Sequence, residues 1–95
     1  MIERHVTFEV IEDKTQDFEN FFAEAYRPAM ASMPGFIKVE LLRQQDSLTM
    51  YHMVIRFETA EAASAWRLSP EHQGLSPRLK ALYSGSQLQV YKVIA

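Results

Sequence analysis

The chain has 95 residues, 47% of them hydrophobic, with 10 Lys and Arg set against 12 Asp and Glu for a net charge of −2. That supplies one apolar core at a size where surface-to-volume ratio keeps a lone domain marginal, so burial against a second copy would help. With no cysteine there can be no disulfide, thiolate metal site or cysteine nucleophile, and with both charge signs interspersed there is no basic stripe for phosphates, which argues against nucleic-acid binding.

The N-terminal segment lacks the basic-then-apolar layout of a signal peptide, and no apolar run approaches the roughly 20 residues of a membrane helix. The expectation is a soluble protein, off the membrane, in a cytoplasmic setting. From Ile2 to Ile11 the residues alternate, Val6, Phe8 and Val10 against His5, Thr7 and Glu9, the period of two expected of a strand. Asp13 and Gln16 have the spacing of a capping box, and Phe18, Phe21, Phe22, Ala25 and Tyr26 then recur as on one helix face. Pro28 removes a backbone donor, so this helix should kink or restart near Arg27 before ending at Met33-Pro34-Gly35.

Phe36–Gln44 and Thr49–Phe57 alternate again. The first sets Ile37, Val39 and Leu41 against Lys38, Glu40 and Leu42; the second sets Tyr51, Met53, Ile55 and Phe57 against Met50, His52, Val54 and Arg56. The short polar link Gln45-Asp46-Ser47-Leu48 makes the pair a hairpin. Glu58-Thr59 offers a cap for an alanine-rich helix over Ala60–Leu68 that presents Ala62, Ala63 and Trp66 on one side. Ser69-Pro70 and Ser76-Pro77 each read as an N-cap followed by proline, predicting one turn and then a third short helix carrying Leu79 and Leu82. Ser84-Gly85-Ser86 closes it, and Leu88, Val90, Lys92 and Ile94 alternate with Gln89, Tyr91 and Val93 in a last strand.

No linker or compositional shift divides the chain, so residues 1–95 read as one domain. The order β-α-β-β-α-β is the split βαβ arrangement: α+β, ferredoxin-like, with helices on one face of a four-stranded antiparallel sheet. The other face, with Thr7, Leu42, Met50, Val54 and Tyr91 or Val93, is then an apolar surface of interface size, and a two-fold homodimer through the sheet is the economical cover.

Several segments together resemble the antibiotic biosynthesis monooxygenase family. They are Tyr26-Arg27-Pro28-Ala29-Met30, Met33-Pro34-Gly35-Phe36, the hairpin Val39–Arg43 with Tyr51–Val54, and Phe57–Ala62 leading to Ala65-Trp66-Arg67 and His72. The resemblance spans essentially the whole chain. It implies a dimeric α+β barrel and an enzyme that oxygenates a quinol-like or polycyclic phenolic molecule with O2, using neither metal nor flavin. It also implies that Trp66 borders the ligand cavity. A haem-degrading branch places an asparagine on the inward face of strand one, where this chain has Val6, Phe8 and Val10, and its histidine well inside a helix, whereas His72 sits beside a Ser-Pro break.

Trp66 reads as a pocket wall or as core filling a gap left by small alanines. His72 reads as a catalytic base for a phenol, since cofactor-free oxygenation needs an electron-rich anion, or as a histidine that caps the second helix or sits in solvent. Phe8, Phe22, Tyr26, Met30, Tyr51, Met53, Leu75 and Tyr83, together with Val6, are expected to face inward as an aromatic and methionine lining of a substrate pocket, or as plain core. His5 and His52, with Glu9, Glu40 and Arg56, are expected on the opposite face as a charged interface network; a metal site is the other reading, though no ligand spacing supports one. A non-catalytic small-molecule-binding dimer is the alternative function, and an interaction domain with a filled interior a third.

Overall fold

The computed structural model describes residues 1–95. Strand β1 (Ile2–Val10) is followed by a 3₁₀ turn (Glu12–Lys14) and a long helical run: α1 (Thr15–Phe21), a wide π-turn (Phe22–Tyr26) and α2 (Arg27–Ala31). The hairpin β2 (Phe36–Arg43) and β3 (Met50–Phe57) leads to α3 (Ala60–Leu68), α4 (Pro70–Lys80) and β4 (Tyr83–Lys92). The strands form one antiparallel sheet in the order β2-β3-β1-β4, the ferredoxin-like α+β arrangement, with β1 paired to β3 and β4. No helix is long and apolar enough to cross a membrane.

Alternation decides which residues reach the core. Phe8, Val10, Tyr51, Met53, Ile55 and Phe57 are buried beneath the helices, which contribute Phe18, Phe21, Phe22, Tyr26, Met30, Ala63, Trp66 and Leu79. The shortest dimension of the molecule is 18 Å, the thickness of one helical layer on one sheet, so the second sheet face has no cover within the chain.

Three local expectations are corrected and one is met. The Asp13–Gln16 capping box does not form: Lys14 holds the cap position with no side-chain bond, and Gln16 donates to Asn20 Oδ1 at 3.1 Å instead. The restart expected near Arg27 is present: α2 begins at Arg27, with Pro28 in its first turn. The backbone stays right-handed helical and widens by one residue, so that the Arg27 amide bonds to the Phe22 carbonyl, five residues back. An uninterrupted α-helix would carry the buried face from Phe18 to Ala25 and Ala29; the extra residue advances it to Tyr26 and Met30. Ser76-Pro77, by contrast, starts no new helix. Only Ser69 has the extended backbone of a cap (φ −68°, ψ 150°), and Pro77 lies inside the single helix α4, where it faces solvent. Ser84–Ser86 belongs to β4 rather than to a helix end, with an irregularity opposite Glu9 and Val10.

At the start of β2 the register shifts between Phe36 and Lys38, and Ile37, expected inside, is 38% exposed. Gly35 enables the turn before it: its φ is +80°, and a Cβ there would stand 2.7 Å from Ala62 Cβ, so helix α3 packs directly on a position open only to glycine.

Candidate active site

The Thr59 hydroxyl accepts the Ala62 amide at 3.1 Å and starts α3, whose small residues let it lie close to the sheet with Trp66 turned inward. Ser69 then joins α3 to α4. Its buried hydroxyl donates to the Trp66 carbonyl at 2.7 Å and accepts the His72 amide at 3.1 Å, fixing the indole and the imidazole relative to one another. Their rings meet edge to face, 5.0 Å between centroids at 81°. Tyr26, delivered by the wide turn, meets Trp66 at 5.5 Å and His72 at 6.1 Å.

Beneath this triad lies a cleft of about 200 Å³ between the helices and the sheet, lined by Val6, Phe8, Tyr26, Met53, Ile55, Trp66, His72, Leu79 and Tyr83, with Arg4, Arg67, Lys80, Ser76, Ser86 and Leu88 completing it. Trp66 is only 2% exposed and still forms a wall, so it is core and lining together.

Of the residues expected from sequence, Trp66, His72, Phe8, Tyr26, Met53, Tyr83 and Val6 converge on this cleft. Four others do not. Met30 is fully buried in the core, and Leu75 packs against the core from its edge. Tyr51 and Phe22 line a separate, polar depression of about 520 Å³ with Glu19, Arg27 and Arg43, where the Tyr51 hydroxyl donates to Glu19 Oε2 at 2.5 Å and is thereby satisfied. Arg4 is the polar lining residue that strand alternation places on the inner face yet apolar counting passes over.

Burial holds the His72 imidazole below its ordinary value of 6.5, with the positive charges of Arg4, Arg67 and Lys80 acting in the same direction and a backbone hydrogen bond at Arg67 opposing them. His72 is therefore neutral at pH 7 and able to accept a proton. Burial pushes the Tyr26 phenol up to about 12, against the opposing effects of the Trp66 indole and the Arg4 charge, so Tyr26 stays protonated. The cleft offers one imidazole and neither carboxylate nor thiol, a donor set poorly suited to a resident metal ion.

On the uncovered sheet face a continuous chain of polar contacts runs across two strands. Glu3 accepts from Arg56 Nε at 2.7 Å and Nη2 at 2.6 Å, and from His5 Nε2 at 2.8 Å; His5 Nδ1 lies 3.1 Å from His52 Nε2, and His52 Nδ1 lies 3.2 Å from the Thr7 hydroxyl. Glu3 takes the place expected for Glu9 and Glu40. Hydrogen bonds from His5 and Arg56 hold its carboxyl below the usual range. No three metal-binding side chains gather here or elsewhere in the chain, and the residues satisfy one another as a polar network.

No curated protein matches the chain. Among solved structures the fold is shared with SnoaB, a cofactor-independent oxygenase from Streptomyces nogalater, at a TM-score of 0.90 and 22% identity over 99% of this chain and 93% of that one. It is shared equally with a protein of Nitrosomonas europaea assigned to the antibiotic biosynthesis monooxygenases (TM-score 0.88, 17% identity, 100% of both chains). A conserved protein of Methanosarcina mazei Go1 also has it (TM-score 0.87, 14% identity, 96% of this chain and 90% of that one). At these identities the structural likeness speaks for the fold. The sequence pattern of the family itself matches residues 1–77, from β1 through the Trp66–His72 pair and most of α4. The chain belongs to the antibiotic biosynthesis monooxygenase family.

Proposed function

We propose that the chain is a cofactor-independent monooxygenase that oxidises a quinol-like or phenolic aromatic molecule with O2 in the cleft beneath Trp66. The observation carrying this reading is a neutral imidazole, His72, held edge-on to Trp66 over an apolar aromatic cleft. Trp66, Phe8, Tyr26, Met53 and Tyr83 hold the ring, and His72 takes the phenolic proton. The resulting anion passes an electron to O2, and recombination at a ring carbon gives a substrate hydroperoxide. Cleavage of its O–O bond leaves one oxygen as a ring carbonyl. The other departs with the ring C–H proton and the proton held by His72 as water, so a phenol and O2 become a quinone and H2O.

The size of the cleft narrows the substrate. About 200 Å³ is below the roughly 300–1,000 Å³ typical of pockets for drug-sized ligands, which favours one or two fused rings over a larger polycycle and disfavours a haem macrocycle. Oxygen uptake in chelator-treated buffer with a panel of mono- and bicyclic quinols and phenols tests the reading, and uptake above the uncatalysed rate is expected. Binding of the same compounds without uptake would favour a non-catalytic ligand-binding module instead, a reading supported by the lack of a carboxylate in the cleft to orient His72.

The uncovered sheet face, with Leu42 49% and Tyr91 48% exposed beside the His5–His52 network, supports a homodimer formed through that face. Sedimentation at micromolar concentration is expected to give twice the 11.0 kDa of the chain. A monomeric mass would contradict it.

A further inference from the structure

Arg4 lies on the inner face of β1, opposite Ile55 of β3 and Val90 of β4. Its Nε is buried without a hydrogen-bond partner, and none of the ion pairs in the chain includes it. A buried guanidinium N–H left without a partner is costly, and the Arg4 side chain as a whole is only partly buried, so its charged end faces the open cleft, where a ligand can complete it. Two further cations, Arg67 and Lys80, line the same cleft, and no Asp or Glu does, although the chain as a whole is net acidic. Arg4 and Arg67 also line an adjoining cleft of about 220 Å³ with Leu88 and Val90, so the positive charge sits where the two spaces meet. Tyr26 cannot neutralise it, because its phenol keeps its proton at pH 7. The site thus has an apolar aromatic half beneath Trp66 and a cationic end with no anion.

We infer that the ligand of this cleft is an aromatic oxyanion, with its ring against Trp66 and its negatively charged oxygen on Arg4. The inference rests on the reading of the Trp66 cleft as the ligand site and adds the charge of the molecule bound there. A guanidinium beside a planar oxyanion donates paired N–H groups in the plane of that group, which a neutral aromatic cannot use. The oxyanion is either a carboxylate that the ligand already carries or a phenolate formed in the site, and Arg4 would hold both.

Titration calorimetry on the full chain at pH 7 with 2-naphthoate, its neutral isostere 2-naphthamide and 2-naphthol separates these cases. If the anion is a carboxylate, naphthoate binds about tenfold or more tighter than naphthamide; if it is a phenolate, bound naphthol shows the red-shifted absorption of its anion. Arg4→Met is expected to bring the naphthoate-to-naphthamide ratio to about one and to abolish the naphtholate spectrum, while Arg4→Lys keeps part of each. The inference is overturned if naphthamide binds the wild type as well as naphthoate while naphthol stays neutral, if none of the three binds at millimolar concentration, or if Arg4→Met leaves the preference intact. Should Arg4→Met fail to fold, the wild-type comparison decides alone. Oxygen uptake is read independently: anion preference without uptake removes the oxygenase and leaves this inference standing, whereas uptake without anion preference does the reverse.

Discussion

Trp66→Ala is expected to lower the free energy of unfolding by about 3–5 kcal/mol, the cost of emptying a large buried aromatic site. The indole is 2% exposed, packs edge to face on both Tyr26 and His72, and roofs a space that is already open, so its neighbours cannot close the gap without collapsing the cleft. Against a total of roughly 5–15 kcal/mol for a domain, the loss is a large fraction of the whole. Trp66→Phe retains a ring and is expected to cost about 1–2 kcal/mol. Urea unfolding followed by far-UV circular dichroism measures both, since the sole tryptophan is lost as a fluorophore. A cost for Trp66→Ala below about 1 kcal/mol would show that the indole is not a packed wall of the cleft.

His72→Asn is expected to reduce turnover about 10²–10⁴-fold, the usual contribution of a positioned base, while leaving the protein folded, because the Ser69 cap binds the His72 backbone rather than its ring. The pH dependence gives a second readout. A protonated His72 cannot accept the phenolic proton, so wild-type activity should fall with an inflection below pH 6.5. Stability follows the same sign. Because the folded-state pKa of His72 is depressed, the unfolded chain binds more protons than the folded one as pH falls below 6.5, and stability present above that pH is lost on passing down through the folded value. His52, depressed by burial and by His5, adds to the same window, whereas the contribution of Glu3 is lost only below pH 4.5. His72→Asn should flatten the stability profile between pH 6.5 and the wild-type inflection in activity. An unchanged turnover with an unchanged pH profile would remove His72 from the chemistry.

The strands were legible because period-two alternation is a direct record of burial: Phe8 and Val10 on β1 and Tyr51 through Phe57 on β3 are buried as their alternation predicts. Trp66 and His72 were legible as a pair because a short alanine helix and a Ser-Pro cap set their spacing locally. Where tertiary context decides, local pattern does not carry the answer. The Ser-Pro signature is the same at residues 69 and 76, and only the packing of α4 shows which one caps a helix. Met30, Phe22 and Tyr51 face inward as predicted, yet Met30 is sealed within the core and Phe22 and Tyr51 border a separate depression with Glu19, Arg27 and Arg43. Arg4 falls on the correct face by simple alternation, but that its guanidinium Nε lacks a partner follows from which carboxylates are out of reach, and that is a property of the fold. Glu3 is legible only in part: His5 follows it by two residues on the same strand face, whereas Arg56 reaches it through the pairing of β1 with β3.

The most direct measurement is the fate of isotopically labelled oxygen. With a phenol or quinol that supports uptake, turnover under ¹⁸O2 should place one labelled atom in the quinone product and the other in water, in chelator-treated buffer and without added flavin. Two labelled atoms in the product, or oxygen consumed with no label incorporated, would contradict monooxygenation in this cleft.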